Sequence, residues 1–442
     1  MRPVRLLCAA LALVFAASLF SCGVPESAPE PEENPEAPAP ETPAEDAPEE
    51  RAPVEFLHVS RDGKLISESG KEVVLRGVNL GGWLLQETWM GAIKGSECNL
   101  DSIRLLQSRG FTDEQIQTLY LSYAEHFITE KDVEYLASLG INCVRLPFWY
   151  RNFMDEDLNL YSQNDAENPG FILIDRFISW AQANGIYVIL DMHGCPGGQS
   201  TDHSTGVIGE NRLYTEQKYS DAMELLWTRI ARHYRTCAAV AAYDIMNEPM
   251  NNSAVYENGW RAGTQTAVSY TIEIYDRMIK AIREIDPDHV ITVEGIWSAH
   301  LLPDPAKYGW TNMMYQLHLY DRTPEAINSR VQELETVRKN YGVAAYVGEF
   351  NNSDENQEYA YCAYLQARVS FTMWTYKVAK DNLGNWGLLS AASPEADLEN
   401  DSYETLLEKW GEVLESEHFT VNPVVEDWIK TYATPLAESN LM

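Results

Sequence analysis

The chain has 442 residues, of which 45% are apolar, so it is long enough for one large domain with a packed core plus appendages. Its formal net charge of −33 argues against a nucleic-acid partner and against attraction to anionic membrane surfaces, because both need basic patches. The 24 tyrosines and 12 tryptophans favour a surface that stacks on flat, hydroxylated ligands. We therefore expect a neutral ligand.

The first 21 residues have the pattern of an export signal. Two arginines precede an apolar run, Leu6 to Phe20, which at about 15 residues is short for a membrane span. Ser21-Cys22-Gly23 follows directly and resembles a bacterial lipobox, in which the cysteine is lipidated and becomes the first residue of the mature protein. We predict lipidation at Cys22 and an exported protein, lipid-anchored at the bacterial cell surface or on a periplasm-facing membrane. An ordinary secretory signal is the alternative.

Residues 22–53 are rich in Pro, Glu and Ala and contain almost no large apolar side chain. Such a segment cannot bury a core, so we predict a disordered linker that holds a folded domain, residues 54–442, away from the membrane. The five cysteines of that domain show no CxxC spacing. We expect most of them to be small buried residues, and we expect neither a metal site nor a cofactor.

Eight apolar runs of strand length alternate with helical patterns in the folded domain. The runs are Val73–Leu80, Ile141–Pro147, Tyr187–His193, Val240–Glu248, His289–Glu294, Met313–Tyr320, Ala344–Phe350 and Val369–Tyr376. The helical patterns lie at 113–139 (in more than one piece), 172–184, 218–235, 264–285, 324–340 and 355–366, with a last helix near 424–432. This alternation predicts parallel βα units, and eight is the number of strands that closes a barrel.

The predicted fold is therefore an α/β (β/α)8 TIM barrel. Two turn signals within residues 54–72 predict a β-hairpin, which we expect to plug the amino-terminal end of the barrel. A doubly wound open sheet is the alternative fold. Its phosphate-binding GxGxxG fingerprint is absent from the glycine-containing stretch 77–82.

Polar side chains end most of the eight runs. Glu248 follows the fourth run within Asn247-Glu248-Pro249, where the proline cannot continue a sheet ladder. Glu349 ends the seventh run. The ends of strands four and seven face each other across the mouth of an eight-stranded barrel, so the two carboxylates can approach within the width of a substrate. Glycoside hydrolysis needs such a pair, and at a separation of roughly 5–5.5 Å the pair works with retention of configuration.

Other strand-end residues suit supporting roles around this pair. We expect Arg145 to hold Glu349 ionised and in place, and Tyr320 to hydrogen-bond the same carboxylate. Ionised Glu349 is expected to raise the pKa of Glu248 and to keep it protonated as the acid. Asn247 is placed to bind a sugar 2-hydroxyl, a contact that strengthens in the transition state.

An ordered set of motifs resembles those of glycoside hydrolase family 5, the cellulase-type (β/α)8 enzymes of clan A, over residues 54–435. The set is Arg145-Leu-Pro, Asp191-Met-His193-Gly, Asn247-Glu248-Pro249, His318-Leu-Tyr320, Gly348-Glu349-Phe350 and Trp374. The resemblance implies that Glu248 is the acid/base and Glu349 the nucleophile. It also implies that His193 and Asn247 bind the glycone and that Trp374 is the stacking platform. Arg145, His318 and Tyr320 complete the predicted substrate-binding set.

Within the family, three stretches are similar to the exo-β-1,3-glucanase branch. They are Gly77-Val-Asn-Leu-Gly-Gly-Trp83-Leu, Asp191-Met-His-Gly-Cys-Pro-Gly-Gly-Gln199 and Trp374-Thr-Tyr-Lys377. That branch has a glutamate four residues after the tryptophan, which implies that Glu87 caps the terminal sugar. Thr88, Leu319 and Phe350 depart from the residues of the branch, so the exo mode and the β-1,3 linkage stay open.

The predicted function is a retaining β-glucan hydrolase that acts by double displacement, with a neutral β-glucan or related saccharide as its partner, and we expect a monomer. Alternatives on the same chemistry are an endo-β-1,4-glucanase, a mannanase or a glycolipid glucosidase. A non-catalytic glycan-binding lipoprotein on the same barrel is the alternative of a different class.

Five further residues admit either a site role or an ordinary one. Glu294 also ends a strand and is a rival carboxylate, though a substrate contact fits it better than catalysis. His203 suits the cleft or the plain surface. Trp83 suits the core as well as a sugar platform, and Trp297 and Trp386 lie in strand-end loops that suit outer subsites.

Overall fold

The computed structural model describes residues 53–249, 264–295, 298–321, 323–351, 356–380 and 384–433. The predicted signal, Cys22, the predicted linker up to residue 52, and Trp297 lie outside these residues. Eight parallel strands close into a barrel, which confirms the (β/α)8 fold and excludes the open sheet. We number them in chain order: β1 Arg76–Asn79, β2 Cys143–Trp149, β3 Tyr187–Gly194, β4 Val240–Asp244, β5 Val290–Glu294, β6 Met313–Leu319, β7 Ala344–Phe350 and β8 Ser370–Met373.

Helices follow or separate the strands as the periodicity predicts. Those in the described residues are α1 Asn99–Ser108, α2 Asp113–Phe127, α3 Glu130–Ser138, α4 Pro169–Ala183, α5 Gln217–Tyr234, α6 Gln265–Arg283, α7 Pro324–Tyr341, α8 Asn356–Gln366, α9 Tyr403–Lys409 and α10 Pro423–Tyr432. Local chemistry sets their ends: α7 starts where Thr323 caps Ala326 N–H, and it stops at Gly342, whose φ of +65° suits a left-handed cap. None of these described helices is long and apolar enough to cross a membrane.

The barrel closes between β8 and β1, where Phe371 pairs with Arg76. Gly77 in β1 lies so close to the backbone of β2 that a side chain there would clash with the Cys143 carbonyl. A glycine is therefore required for β1 and β2 to approach, as happens in strands where another backbone comes near.

A β-hairpin covers the amino-terminal end of the barrel. Its strands, Leu57–Val59 and Leu65–Ser67, pair antiparallel. Leu57 and Leu65 pack in one apolar cluster with residues at or near the starts of the barrel strands, among them Tyr187. The Tyr187 hydroxyl donates to the Glu55 carbonyl (2.9 Å) and accepts from the Glu55 N–H (3.0 Å). The expected plug is thus present, and it is apolar.

The fourth strand is shorter than the sequence predicts. β4 ends at Asp244 rather than at Glu248, and residues 245–249 leave the sheet. Glu248 has a φ of +40°, and its N–H donates to the carboxylate of Glu294 at the end of β5 (2.7 Å) instead of to a strand. Glu248 therefore lies at the mouth of the barrel, in an irregular segment outside the sheet.

The cysteines and the last part of the chain complete the fold. All five cysteines of the described residues are free, and Cys98, Cys143 and Cys195 are buried, in line with the expectation for most of them. Helix α9 and two small sheets, which pair 93–94 with 396–397 and 377–378 with 389–390 and 420–421, were not predicted. Elements of two to seven residues are too short to show a hydrophobic period.

Candidate active site

Arg145 on β2 is the centre of a buried ionic network at the carboxyl ends of the strands. Its side chain is fully buried and its three guanidinium nitrogens all have acceptors. The partners are Asp244 Oδ2 (2.8 Å from Nε), Glu349 Oε1 (2.8 Å from Nη1), Asn79 Oδ1 (3.1 Å from Nη1), Asn247 Oδ1 (2.8 Å from Nη2) and Asp191 Oδ2 (3.1 Å from Nη2). One planar cation thereby ties together the ends of β1, β3, β4 and β7.

The Arg145 side chain has no solvent exposure here and binds Glu349, which fits the expected positioning role. Its place among the substrate-binding residues stays a prediction. Burial opposes its charge, but Asp191, Asp244 and Glu349 together raise the pKa of Arg145 well above its usual value. Burial raises the pKa of Asp244 to about 6, while Arg145 lowers it.

Glu349 is held at both of its oxygens. Arg145 binds Oε1, and the Tyr320 hydroxyl donates to Oε2 (2.7 Å). A register shift between Val347 and Glu349 in β7 pairs Glu349 with His318 of β6, and such bulges re-aim a side chain. Desolvation raises the pKa of Tyr320 well above its usual value, so the hydroxyl stays a donor. The Glu349 carboxylate is therefore fixed in direction.

Glu248 faces Glu349 across the mouth of the barrel. Its Oε1 lies 3.0 Å from Nδ1 of His318, and the same nitrogen lies 3.4 Å from Oε2 of Glu349. One carboxylate oxygen of each glutamate and this nitrogen all lie within 4.8 Å of one another. This proximity fits the pair of carboxyl groups roughly 5–5.5 Å apart that double displacement with retention requires.

The pKa of Glu248 is raised to about 7, and burial is the largest cause. The charges of Glu87 and Asp202 raise it further, while His193 lowers it. Glu349, expected from the sequence to raise this pKa, is not among its largest causes. Arg145 binds the Glu349 carboxylate, whereas burial removes water from Glu248.

His318 lies beside both glutamates and is not among the residues that line the cleft, and its expected substrate contact stays a prediction. Burial lowers the pKa of His318 to about 3, so the ring is neutral at neutral pH. Its Nε2 lies 3.5 Å from Glu294 on the side away from Glu248. A neutral His318 ring can hydrogen-bond Glu248 without adding a charge among the three carboxyl groups.

His193 and Trp374 form one wall of the site. The His193 ring stacks on Trp374 with centroids 5.5 Å apart and planes 17° apart. His193 Nδ1 lies 2.7 Å from Asp191 Oδ2; burial opposes the ring's charge, and the net effect of Asp191 raises the pKa of His193. Asn247 is almost fully buried and its Oδ1 is used by Arg145, so only its amide nitrogen is left to serve a sugar.

The cleft beside these residues is open and has a volume of about 250 Å³. It is lined by Glu87, Trp89, His193, Asp202, His203, Ser204, Glu248, Tyr320, Glu349, Trp374 and Trp386. Six of these eleven residues belong to the predicted site. The volume of the cleft lies below the roughly 300–1,000 Å³ of pockets that enclose drug-sized ligands. The space suits a sugar or two at the carboxylates, with the remainder of a longer chain in solvent.

Several residues with two possible roles now have one. Trp83 belongs to the core, because it is buried and its indole donates to the Ala124 carbonyl (2.8 Å). Glu294 is buried and supports the Glu248 backbone. His203 and Trp386 line the cleft.

Sequence reasoning missed Trp89, Asp202, Ser204, Gln316 and Asp244. Asp244 was visible as the one acid in an apolar run; Gln316 Nε2 donates to it (2.6 Å). The three cleft residues lie in loops after β1 and β3, where no periodicity marks them.

The structure is a (β/α)8 barrel with two close carboxylates, one after β4 and one in β7. This is an arrangement suited to glycoside hydrolysis. A family model described as Cellulase (glycosyl hydrolase family 5) matches residues 106–384, more than half of the chain. The chain belongs to glycosyl hydrolase family 5, and the resemblance seen in its motifs is confirmed.

Similar proteins extend this result. A β-xylosidase of Phanerodontia chrysosporium is 30% identical over 341 residues, which cover 72% of this chain and 66% of that protein. A probable glucan 1,3-β-glucosidase A of Aspergillus niger is 30% identical over 204 residues, 46% of this chain and 47% of that protein. The chain spans about half to two thirds of these relatives. The solved structure of an endogalactoceramidase, 20% identical, shares the fold with a TM-score of 0.54 over 81% of this chain and 84% of that one.

Proposed function

We propose that the protein is a retaining β-glycosidase that acts on β-glucan or a related neutral saccharide. The observation that carries the proposal is the pair itself: Glu349 is held at both oxygens by Arg145 and Tyr320, and Glu248 has a pKa raised to about 7 within reach of it. Binding alone does not require such a pair of carboxyl groups, so the non-catalytic alternative is disfavoured.

Hydrolysis follows in two steps. Glu349 attacks the anomeric carbon while Glu248 gives its proton to the departing glycosidic oxygen, which breaks the glycosidic bond and leaves a glycosyl ester on Glu349. Glu248, now ionised, takes a proton from water as that water attacks the same carbon and releases Glu349. Arg145 and Tyr320 hold the nucleophile through both steps.

The substrate class rests on charge and on the relatives. The cleft is lined by four carboxyl groups and by aromatic side chains, which suits neutral sugars and opposes anionic ones. The relatives are named as a β-xylosidase and a glucan 1,3-β-glucosidase, and both names describe β-glycosides. We propose a β-glucosidic bond at the end of a glucan chain as the first substrate to assay, because Glu87 lines the cleft as a terminal-sugar cap would.

Two alanine variants test the mechanism. Glu248→Ala should lose activity on laminarin but keep a large part of it on 2,4-dinitrophenyl β-glucoside, because that leaving group departs without a proton. With azide, Glu248→Ala should yield the β-glucosyl azide and Glu349→Ala the α-glucosyl azide, as NMR would show. Glu114→Ala, an exposed glutamate on α2, is the control. Full activity of Glu248→Ala on laminarin would refute the assignment.

A substrate panel decides linkage and mode. Laminarin, carboxymethyl-cellulose, mannan and the aryl β-glucoside and β-xyloside separate the glucanase, cellulase, mannanase and xylosidase specificities. Glucose released singly from laminarin indicates exo action, and a ladder of oligosaccharides indicates endo action. Binding to any of these polymers without turnover would instead support the glycan-binding alternative.

We also propose that the chain is exported as a lipid-anchored monomer. The apolar run Leu6–Phe20 followed by Cys22 supports the anchor. Metabolic labelling with a fatty acid should mark the wild type and not Cys22→Ser, and the variant should leave the detergent phase. Light scattering of the released domain should report one chain.

A further inference from the structure

Glu87, Trp89, Asp202 and His203, which we call the Glu87 cluster, lie together at one side of the cleft. Asp202 Oδ1 lies 2.6 Å from His203 Nδ1 and also accepts the His203 backbone N–H (2.7 Å). His203 Nε2 lies 3.4 Å from Oε2 of Glu87, and the Trp89 indole donates to the same oxygen (2.6 Å). Both contacts fall on Oε2 of Glu87, and Glu87 lines the cleft.

The loop that carries His203 is fixed. The hydroxyl of Thr205 donates to the Val207 carbonyl (2.8 Å), and the Leu100 N–H donates to the Gly206 carbonyl (3.0 Å). Gly206 has a φ of +78° and lies against the Trp149 ring, where a side chain would crowd it. The position of the His203 ring is therefore set by the fold and not only by its ion pairs.

The Glu87 cluster also joins the nucleophile through one aromatic wall. Trp89 packs edge-on against Trp386 with ring centroids 5.4 Å apart, and Trp386 lies 5.9 Å from Tyr320. Tyr320 in turn donates to Glu349. A sugar held at Glu87 is thus registered against the attacking carboxylate by packed rings.

We infer that His203 is a specificity-determining residue: held by Asp202, its ring fixes Glu87 so that Oε1 accepts a hydrogen bond from a hydroxyl of a neutral sugar. The inference rests on the proposed function and deepens it. It gives His203, which suits an ordinary surface role by sequence, a defined part in substrate choice.

Charge supports this assignment. Glu87 is largely buried, and a buried carboxylate needs a cation or donors. The hydrogen bonds of Asp202 and then Glu87 raise the pKa of His203 to about 10, and its partner lowers the pKa of Asp202. The ring faces Asp202 on its own loop and Glu87 from the loop after β1; the other titratable groups lining the cleft are His193, Glu248, Tyr320 and Glu349.

The cluster holds two carboxyl groups, those of Glu87 and Asp202, and one imidazole, that of His203, so its acidic groups outnumber its basic one. A uronic acid would bring a further carboxylate to this acidic cluster, whereas a hydroxyl donor meets a ready acceptor. The cluster therefore selects neutral hexosides over β-glucuronides. The His203 ring orients the Glu87 carboxyl group, and because the ring is partly exposed, its ion pairs contribute little to the stability of the fold.

A variant cycle tests the inference. Glu87→Gln should lower kcat/KM on aryl β-glucoside about 10- to 100-fold, the loss expected of one charged hydrogen bond. His203→Gln should lower it about tenfold, chiefly through KM, and should have no further effect in a Glu87→Gln background. His58→Gln, an exposed histidine on the hairpin at the opposite end of the barrel, is the matched control. Independent, multiplying effects would overturn the inference.

Two further readouts separate specificity from simple structure. Deoxy-glucosides lacking the 3-, 4- or 6-hydroxyl should identify one position at which the wild type discriminates and Glu87→Gln does not. Asp202→Asn should bring the His203 pKa back towards its usual 6.5, so KM should rise between pH 6 and pH 8 in this variant and stay flat in the wild type. A KM with the same pH dependence in both proteins would count against the role of His203.

Calorimetric binding of laminaribiose and cellobiose keeps this test apart from the proposed function. If the protein hydrolyses no glycoside but binds either disaccharide, the catalytic proposal fails, and weaker binding by His203→Gln still supports the inference. If the wild type binds and His203→Gln binds equally well, the inference fails while catalysis stands. Absence of binding by the wild type overturns the inference as well.

Discussion

The two ends of the barrel are built on opposite principles. The amino-terminal end is closed by the hairpin and packed with apolar side chains such as Leu57 and Leu65. The carboxyl end is open and holds Asp191, Asp244 and Glu349 around one buried cation. Burial of apolar surface stabilises the fold, while burial of carboxylates opposes it. The apolar packing at the closed end therefore stabilises the fold and offsets the unfavourable burial of carboxylates at the open end.

The open end also shows how an excess of buried acid is tolerated. Arg145 binds three carboxylates, and burial favours the protonated form of several acids at this end, Asp244 among them. Burial raises the pKa of Asp244 to about 6 and that of Glu248 to about 7, and it raises that of Glu294 well above its usual value. Arg145 binds Glu349, and no comparable cation binds Glu248 among the described residues, so its protonated form is favoured. This difference gives the pair the two roles that double displacement needs.

The largest expected effect comes from removing that cation. Arg145→Met should lower the free energy of unfolding by about 3–5 kcal/mol, because three carboxylates lose their buried partner, and it should abolish hydrolysis, because Glu349 is released. Urea unfolding and an aryl glycoside assay measure both. Arg104→Met, an exposed arginine on α1, should change unfolding by less than about 0.5 kcal/mol. Wild-type stability in Arg145→Met would show that the network does not support this end.

The matching change at the closed end should separate stability from activity. Leu57→Ala should lower the free energy of unfolding by about 3 kcal/mol, since it opens a cavity in the plug cluster. Its kcat should stay within a factor of two of the wild type, because the hairpin lies at the end away from the carboxylates. Leu121→Ala, on an exposed part of α2, is the control. A large fall in kcat would mean that the two ends are coupled.

Glu294 offers a finer test of the open end. Glu294→Ala should lower kcat about 100-fold, or about 2.7 kcal/mol, because the Glu248 backbone loses the acceptor that holds its φ of +40°. Glu294→Gln should recover most of this, since an amide oxygen accepts the same N–H and resembles the protonated acid. Equal losses in both variants, with unchanged circular dichroism, would contradict this account.

The smallest effect concerns pH. The protonated form of Glu248 is the acid, and its pKa is raised to about 7, so kcat/KM should be flat just below pH 7 and fall about tenfold per unit above it. Glu87→Gln should move this limb to lower pH, because the Glu87 charge contributes to the raised pKa. With a substrate whose leaving group needs no proton, the fall of kcat/KM above pH 7 should disappear. If this fall persisted with such a substrate, Glu248 would be excluded as its cause.

Much of the fold was predictable because hydrophobic periodicity reports burial locally. Helices α4 to α7 begin and end within a few residues of the predicted ranges, and all eight barrel strands fall inside predicted runs or extend them by one or two residues. The end of β4 was misplaced because the carboxylate that captures the Glu248 N–H comes from β5, which no local pattern reveals.

The sequence alone was enough to predict the barrel, the hairpin plug and the two glutamates at the mouth, since element type and turn chemistry are properties of short stretches. Only the tertiary structure decided that Arg145 is enclosed, that His318 supports Glu248, and that His203 meets Glu87. His318 and Glu248 lie 70 residues apart in the chain, and Arg145 and Glu349 lie 204 apart, so such contacts depend on the closure and register of the whole barrel.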